Sequence, residues 1–176
     1  MPTVFTHAVV GLGLGWIFAT GRPMPLAFWG LSAALSALPD LDVITLALGL
    51  PYGSRFGHRG FSHSLCCALL VSLPVALLTY RPFGVAWWLL WGYFFVVMAS
   101  HGVLDAFTNG GYGIAFFSPF DPTRYFFPWR PVEVAPIGVT AFFGPWGLRV
   151  LGSEMLWIWL PLGVVVAAVK VWRQAA

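Results

Sequence analysis

All four histidines and three of the six acidic residues of this 176-residue chain sit inside or at the edge of apolar runs. In "SHGVLDAF", His101 and Asp105 are four residues apart and share one helical face, which presents an imidazole and a carboxylate to a single ion. In "PDLD", Pro39 ends a helix, so the carboxylates of Asp40 and Asp42 can diverge, one towards a metal and the other towards a ligand or a water. In "FGHRGFSHSL", His58 and His63 are five apart, the wrong spacing for one helical face. A break at Gly60 resolves this by leaving His58 in a loop and His63 in the first helical turn. His7 stands alone near the start of the first apolar run.

Four neutral imidazoles and three carboxylates carry a formal charge of about −3, which is costly in a low-dielectric setting unless cations compensate it. One or two divalent ions would do so. Histidine and carboxylate without cysteine favour zinc, with manganese or iron as alternatives. A bound divalent ion lowers the pKa of water to about 7. Asp42, or Asp40 beside it, is the candidate to orient or deprotonate that water. Arg59, Arg124 and Arg130 are candidates to stabilise charge developing on a phosphoryl oxygen.

Each polar residue also has a structural explanation. His7 could hydrogen-bond a neighbouring helix, His101 and Asp105 could pair two helices, and the "PDLD" acids could be a solvated helix stop. Convergence of all seven on one face favours a site. "GFSHS" superficially resembles a nucleophile elbow, but Ser64 occupies the final glycine position, so Ser62 and Ser64 read as helix-capping hydroxyls.

The elements that must position these residues are membrane helices. The chain is 59% hydrophobic and 9% charged, with a mean hydropathy of +0.83; a spanning helix needs about 20 mostly apolar residues. The expected architecture is an all-α polytopic bundle of about five spans forming a single membrane-embedded domain over residues 1–176. The spans read Val4–Thr20, a short or broken second span from Pro25 to Leu38 with a tail "VITLALGL" after the break, then Phe61–Tyr80 with a kink at Pro74, Val85–Phe107 and Met155–Trp172. In the first, "GLGLG" offers a small-residue face for close packing. It lacks a basic flank and a small-residue cleavage site, so it is expected to remain as a helix. Residues 108–154 read as a long aromatic-rich interfacial loop over the site. If the helices alternate in direction, His7, Asp40, Asp42, His58, His63, His101 and Asp105 all lie on one membrane face.

The net charge of +3 comes from scattered basic residues, with no run that marks a nucleic-acid surface. Setting aside Arg59, Arg124 and Arg130 as anion contacts, Arg22, Arg81, Lys170 and Arg173 favour a cytoplasmic face opposite the site, which leans the site extracytoplasmic. The adjacent Cys66 and Cys67 read as small core residues.

The motifs "PDLD", "HRGFSHS" and "SHGVLDAFTNGG", following an N-terminal Thr-His among hydrophobic helices, together resemble the YdjM-like family of inner-membrane proteins, described as membrane-bound metal-dependent hydrolases. That family is remotely similar to the all-helical zinc-dependent phospholipase C and single-strand nuclease superfamily. The resemblance implies that His7, Asp40, His58, His63, His101 and Asp105 are metal ligands. This chain shows no later H-x-x-x-E pair of the kind that completes the soluble enzymes' third metal site, which implies fewer ions. The expected function is hydrolysis of a membrane lipid or lipid-linked ester, a phosphoester in the first instance. The alternatives are a metal-ion transporter and a metal-binding or structural membrane protein without activity. Ligands at helix ends rather than near the midplane favour the enzyme over the transporter.

Overall fold

Backbone placed in hydrocarbon must satisfy its N–H and C=O groups within its own segment, so the apolar runs fold as helices. A computed structural model describes residues 1–19, 21–136 and 139–175. Its helices are α1 (Val4–Ala19), α2 (Leu26–Ala37), α3 (Val43–Ala47), α4 (Leu65–Phe83), α5 (Trp87–Ala106), α6 (Val139–Phe142), α7 (Pro145–Glu154) and α8 (Leu160–Ala175). Among the described residues there is no strand, only two isolated bridges, Thr108 with Val132 and Ile114 with Tyr125. Four stretches are long and apolar enough to cross a membrane: Leu26–Ala47, Leu65–Phe83, Trp87–Ala106 and Pro145–Ala175. With the shorter apolar α1 they are consistent with about five spans.

Three expected boundaries are corrected. "PDLD" does not stop the second span: Leu38–Asp42 is a 3-10 turn that carries the helix from α2 straight into α3. Pro39, the second residue of that turn, takes away one donor to the last carbonyls of α2, and the backbone meets this by tightening into 3-10 geometry rather than ending the helix. The third span begins at Leu65, after a separate 3-10 turn at Phe61–His63, with Ser64 accepting the Cys67 N–H as its cap. The 108–154 segment is not loop throughout. Pro145 opens α7 as a first-turn proline after Gly144, and α7 runs through a π-helical turn at Met155–Trp159 into α8. The resulting 31-residue rod is about 46 Å long, longer than a hydrocarbon core of about 30 Å. Of the expected spans and loop, Thr20 and residues 137–138 lie outside the described residues.

α1 lies against α2, α4 against α5, and α2 and α5 join the two pairs, with α8 on α1. The small-residue face of α1 is used: a side chain at Gly11 would run into the Ser32 carbonyl of α2, and one at Gly13 into Leu162 of α8. Phe28, Leu35, Ala76, Leu90, Phe94 and Val97 form the apolar core, with Tyr93 bonded to Ser32 at 2.6 Å. Leu70, Leu78, Trp88, Val96, Val164 and Val165 point outward, as lipid-facing positions do. Thr3 at the start of α1 touches Glu154 at the end of α7, and Ile17 near its end accepts from Arg173 in α8. The two helices therefore run parallel, and both begin at the end of the bundle that holds the polar cluster.

Candidate metal centre

Five residues from four elements meet at that end. His7 comes from the first turn of α1, Asp40 from the 3-10 turn after α2, His63 from the 3-10 turn before α4, and His101 and Asp105 from the last turns of α5. His7, His63, His101 and Asp105 are buried, and only the Asp40 side chain, 10% exposed, reaches the surface. Coordinating atoms of Asp40, His63, His101 and Asp105 all lie within 4.8 Å of one another. His7 Nε2 is 3.5 Å from Asp105 Oδ1 and 4.0 Å from Asp40 Oδ2, and its ring stacks on His101 at 3.7 Å.

Hydrogen bonds behind two of the rings fix which nitrogen faces inward. His101 Nδ1 is 2.8 Å from the Ser36 carbonyl, which can only accept, so Nδ1 carries the proton and Nε2 the lone pair. His63 Nδ1 is 3.1 Å from Asp42 Oδ2, an ionised acceptor, so its Nε2 is likewise bare. These two Nε2 atoms stand 3.0 Å apart. His63 Nε2 also lies 3.7 Å from Asp40 and 3.6 Å from Asp105, and His101 Nε2 3.3 Å from Asp40. Both oxygens of Asp40, both of Asp105 and both nitrogens of His7 are buried without a hydrogen-bond partner among the described residues. Apart from Arg59, whose Nε lies 3.2 Å from Asp105 Oδ2, no donor among the described residues meets these lone pairs, which need a cation between them. Without an ion a proton meets this demand at His63, outside the spanning segments: burial pushes its pKa down, but Asp40, Asp42 and Asp105 outweigh burial and raise it to about 9, so its Nε2 is bare when a cation takes the place of that proton. The residues fit a divalent ion with nitrogen and oxygen ligands.

Asp42 and His58 stand to one side. Asp42 Oδ1 accepts from His58 Nδ1 at 2.5 Å, while Oδ2 accepts from the Arg59 N–H at 3.2 Å and from Ser62. Ser62 is thus a partner of Asp42 rather than a helix cap. Asp42, His58 and His63 form a second group with atoms within 4.8 Å, although an ion there would have to displace the Asp42–His58 hydrogen bond. The structure therefore separates His58 from the five residues above.

Two arginines expected to face a substrate are otherwise engaged. Arg59 is fully buried. Its Nε pairs with Asp105 Oδ2 at 3.2 Å, and its terminal nitrogens donate to the Gly110 and Tyr112 carbonyls and to Thr108 Oγ1. It holds Asp105 and the 108–112 loop together. Arg59 is also the residue in the left-handed region, at φ +63°, whereas Gly60 has a negative φ. The turn between the two histidines is therefore made at Arg59, and Gly60 is needed because a side chain there would strike the Arg55 carbonyl. Arg124 donates to the carbonyls of Tyr52, Ser54, His58 and Gly113 at 3.0–3.4 Å, clamping the 52–58 loop. Arg130 is exposed and lies 4.6 Å over the Phe126 ring. Arg124→Ala is expected to cost about 1–3 kcal/mol by stranding those carbonyls, whereas Arg130→Ala should cost no more than about 0.5 kcal/mol. Thermal unfolding in detergent measures both, and equal losses would contradict these placements.

Sequence reasoning missed the Ser36 carbonyl, Ser62, and a set beside His7 made of the buried Thr3, Thr6 and Glu154 and the half-buried Trp159. No local spacing signals a backbone carbonyl or a contact between residues some 150 apart. An acid, Glu154, at the start of the last apolar run was the one available sign.

A family model described as "YdjM inner membrane protein" matches residues 1–176. Inner membrane protein YbcI of Escherichia coli (strain K12) is 39% identical over 178 residues, covering 99% of each chain. No solved structure matches.

Proposed function

The chain belongs to the YdjM inner membrane protein family, and we propose that it is a metal-dependent hydrolase of a lipid or lipid-linked ester, a phosphoester in the first instance. The observation that carries this is the pair of imidazole nitrogens 3.0 Å apart, ringed by the Asp40 and Asp105 carboxylates, whose four oxygens make no hydrogen bond among the described residues and of which one pairs with Arg59, with an Asp–His pair alongside. His7, Asp40, His63, His101 and Asp105 would hold the ion. Bound there, a divalent ion supplies a water of lowered pKa and a positive charge for a developing oxyanion.

The remaining roles belong to the chain itself. Asp42 keeps His63 in the tautomer that bares Nε2, and it holds His58 by Nδ1. His58 Nε2 has no hydrogen bond among the described residues, which suits it to give or take a proton next to the centre. Arg59 fixes the Asp105 carboxylate from behind, and Arg124 fixes the His58 backbone. Arg130, exposed among the aromatics of the 108–136 stretch, is the cation left to meet a headgroup or phosphoryl oxygen. The open edge of the cluster is the Asp40–Asp42 turn, where Leu41 and Ile44 are exposed, an approach suited to an apolar substrate arriving along the membrane.

Complete burial of four of the five ligands also suits a metal-binding protein without turnover, and one experiment separates the two. Purified protein and His58→Ala would be assayed for metal content and against a panel of bilayer lipids and phosphodiesters. The hydrolase reading predicts unchanged metal in His58→Ala with turnover reduced by about 10²–10⁴. Metal without turnover of any substrate by wild type would favour the binding protein.

A further inference from the structure

His7 differs from the other two inward-facing histidines. His63 is oriented by Asp42 and His101 by the Ser36 carbonyl, each through Nδ1, whereas neither nitrogen of His7 has a hydrogen-bond partner among the described residues. Its ring stacks on His101, and its Nε2 stands 3.5 Å from Asp105 Oδ1 without a hydrogen bond. Where His7 reaches is therefore set by where the first turn of α1 is held.

That turn is held by Glu154. Its carboxylate is fully buried and accepts the Thr3 N–H at 2.5 Å, Thr3 Oγ1 at 2.7 Å and Thr6 Oγ1 at 2.7 Å. Thr6, the residue before His7, also accepts from Trp159 Nε1 at 2.8 Å. A carboxylate at this position also complements the positive end of the α1 dipole. Glu154 and Trp159 can both reach Thr6 because Met155–Trp159 is a π-helical turn. Hydrogen bonds in a π-helix run i→i+5, which stacks residues five apart. On an α-helix with 3.6 residues per turn they would point roughly 140° apart. A π-turn inside a membrane helix is uncommon, and here it serves one contact.

We propose that Glu154, seconded by Trp159, is a positioning residue for the metal centre, acting through Thr3 and Thr6 on the first turn of α1 to place His7. This rests on the metal-centre reading above.

The test uses cobalt(II) as the probe, with its visible absorption spectrum and affinity measured on full-length protein in detergent. Glu154→Gln and Trp159→Phe are each made in wild type and in His7→Ala, with helix content by circular dichroism as the folding control. Glu154→Gln should weaken cobalt binding by about 10- to 100-fold, the range for losing a group that orients a ligand, and should alter the cobalt spectrum. Trp159→Phe should do the same to a smaller extent. In the His7→Ala background neither substitution should have a further effect on affinity, because the residue through which they act is gone. Wild-type affinity in Glu154→Gln, or an equal loss with and without His7, would overturn the proposal and leave Glu154 a helix fastener. If wild type itself takes no cobalt, the metal-centre reading fails first and this inference with it. Should Glu154→Gln not fold, the Trp159→Phe pair decides the matter alone.

Discussion

His101→Ala is expected to insert and fold yet to purify without metal, and to lose the response to chelator that wild type shows. The ring contributes one bare nitrogen, 3.0 Å from His63 and 3.3 Å from Asp40, and it is the surface on which His7 stacks. Removing it takes away one ligand and frees a second. The affinity loss should therefore exceed the about 10- to 100-fold typical of disturbing a partner behind a ligand. The cost to the fold is smaller, because the hydrogen bond lost with Ser36 contributes about 1 kcal/mol. Ligand linkage makes this visible: a metal present at about 100 times its dissociation constant stabilises the fold by about 2.7 kcal/mol. Wild type should lose thermal stability on chelation, while His101→Ala should melt at the same temperature with and without chelator. A chelator response retained in His101→Ala would remove this ring from the centre.

Arg59→Ala should be the most destabilising single change in the site. The guanidinium is fully buried, and removing it leaves Asp105 without a countercharge and three acceptors of the 108–112 loop without donors. Breaking a buried ion pair in this way costs about 3–5 kcal/mol. Because a metal ion would itself offset the Asp105 charge, the loss should be larger in chelated protein than in metal-loaded protein. Arg59 also occupies the left-handed region, where a non-glycine residue costs about 1–2 kcal/mol. Arg59→Gly should therefore be less destabilised than Arg59→Ala by about that amount, although both lose the same contacts. Thermal or urea unfolding of the two variants gives the comparison. A loss in Arg59→Ala no larger than that in Arg130→Ala would show that the guanidinium is not holding the loop.

What could be read from the sequence follows from physical range. Counting apolar runs and noting at which end each polar residue falls was enough to bring His7, Asp40, His63, His101 and Asp105 to one face, because alternation of membrane helices is a long-range constraint visible in local composition. The same reasoning gave no sign of what Arg59 and Arg124 hold. "HRG" carries no sign that Arg59 takes the left-handed turn and that its side chain folds inward, since that depends on the 108–112 carbonyls that the loop happens to present. It also placed a break in the second span after Leu38, where a 3-10 turn leads into the tail "VITLALGL", and it treated "PWGLRVLGSE" as loop. That stretch is a helix whose Gly-Pro start is a recognisable opening, masked by its glycines and charges. Glu154 stood out only as an acid at the start of the last apolar run, because Thr3 and Thr6, which it holds, lie at the other end of the chain.

Metal analysis of protein purified in mild detergent without added metal tests the central claim most directly, made on wild type beside His101→Ala. Roughly one or two zinc, manganese or iron ions per wild-type chain, and little in His101→Ala, is the predicted result for a closed histidine–carboxylate site. Wild type free of stoichiometric metal and unable to take it up, or equal metal in the two proteins, would contradict it.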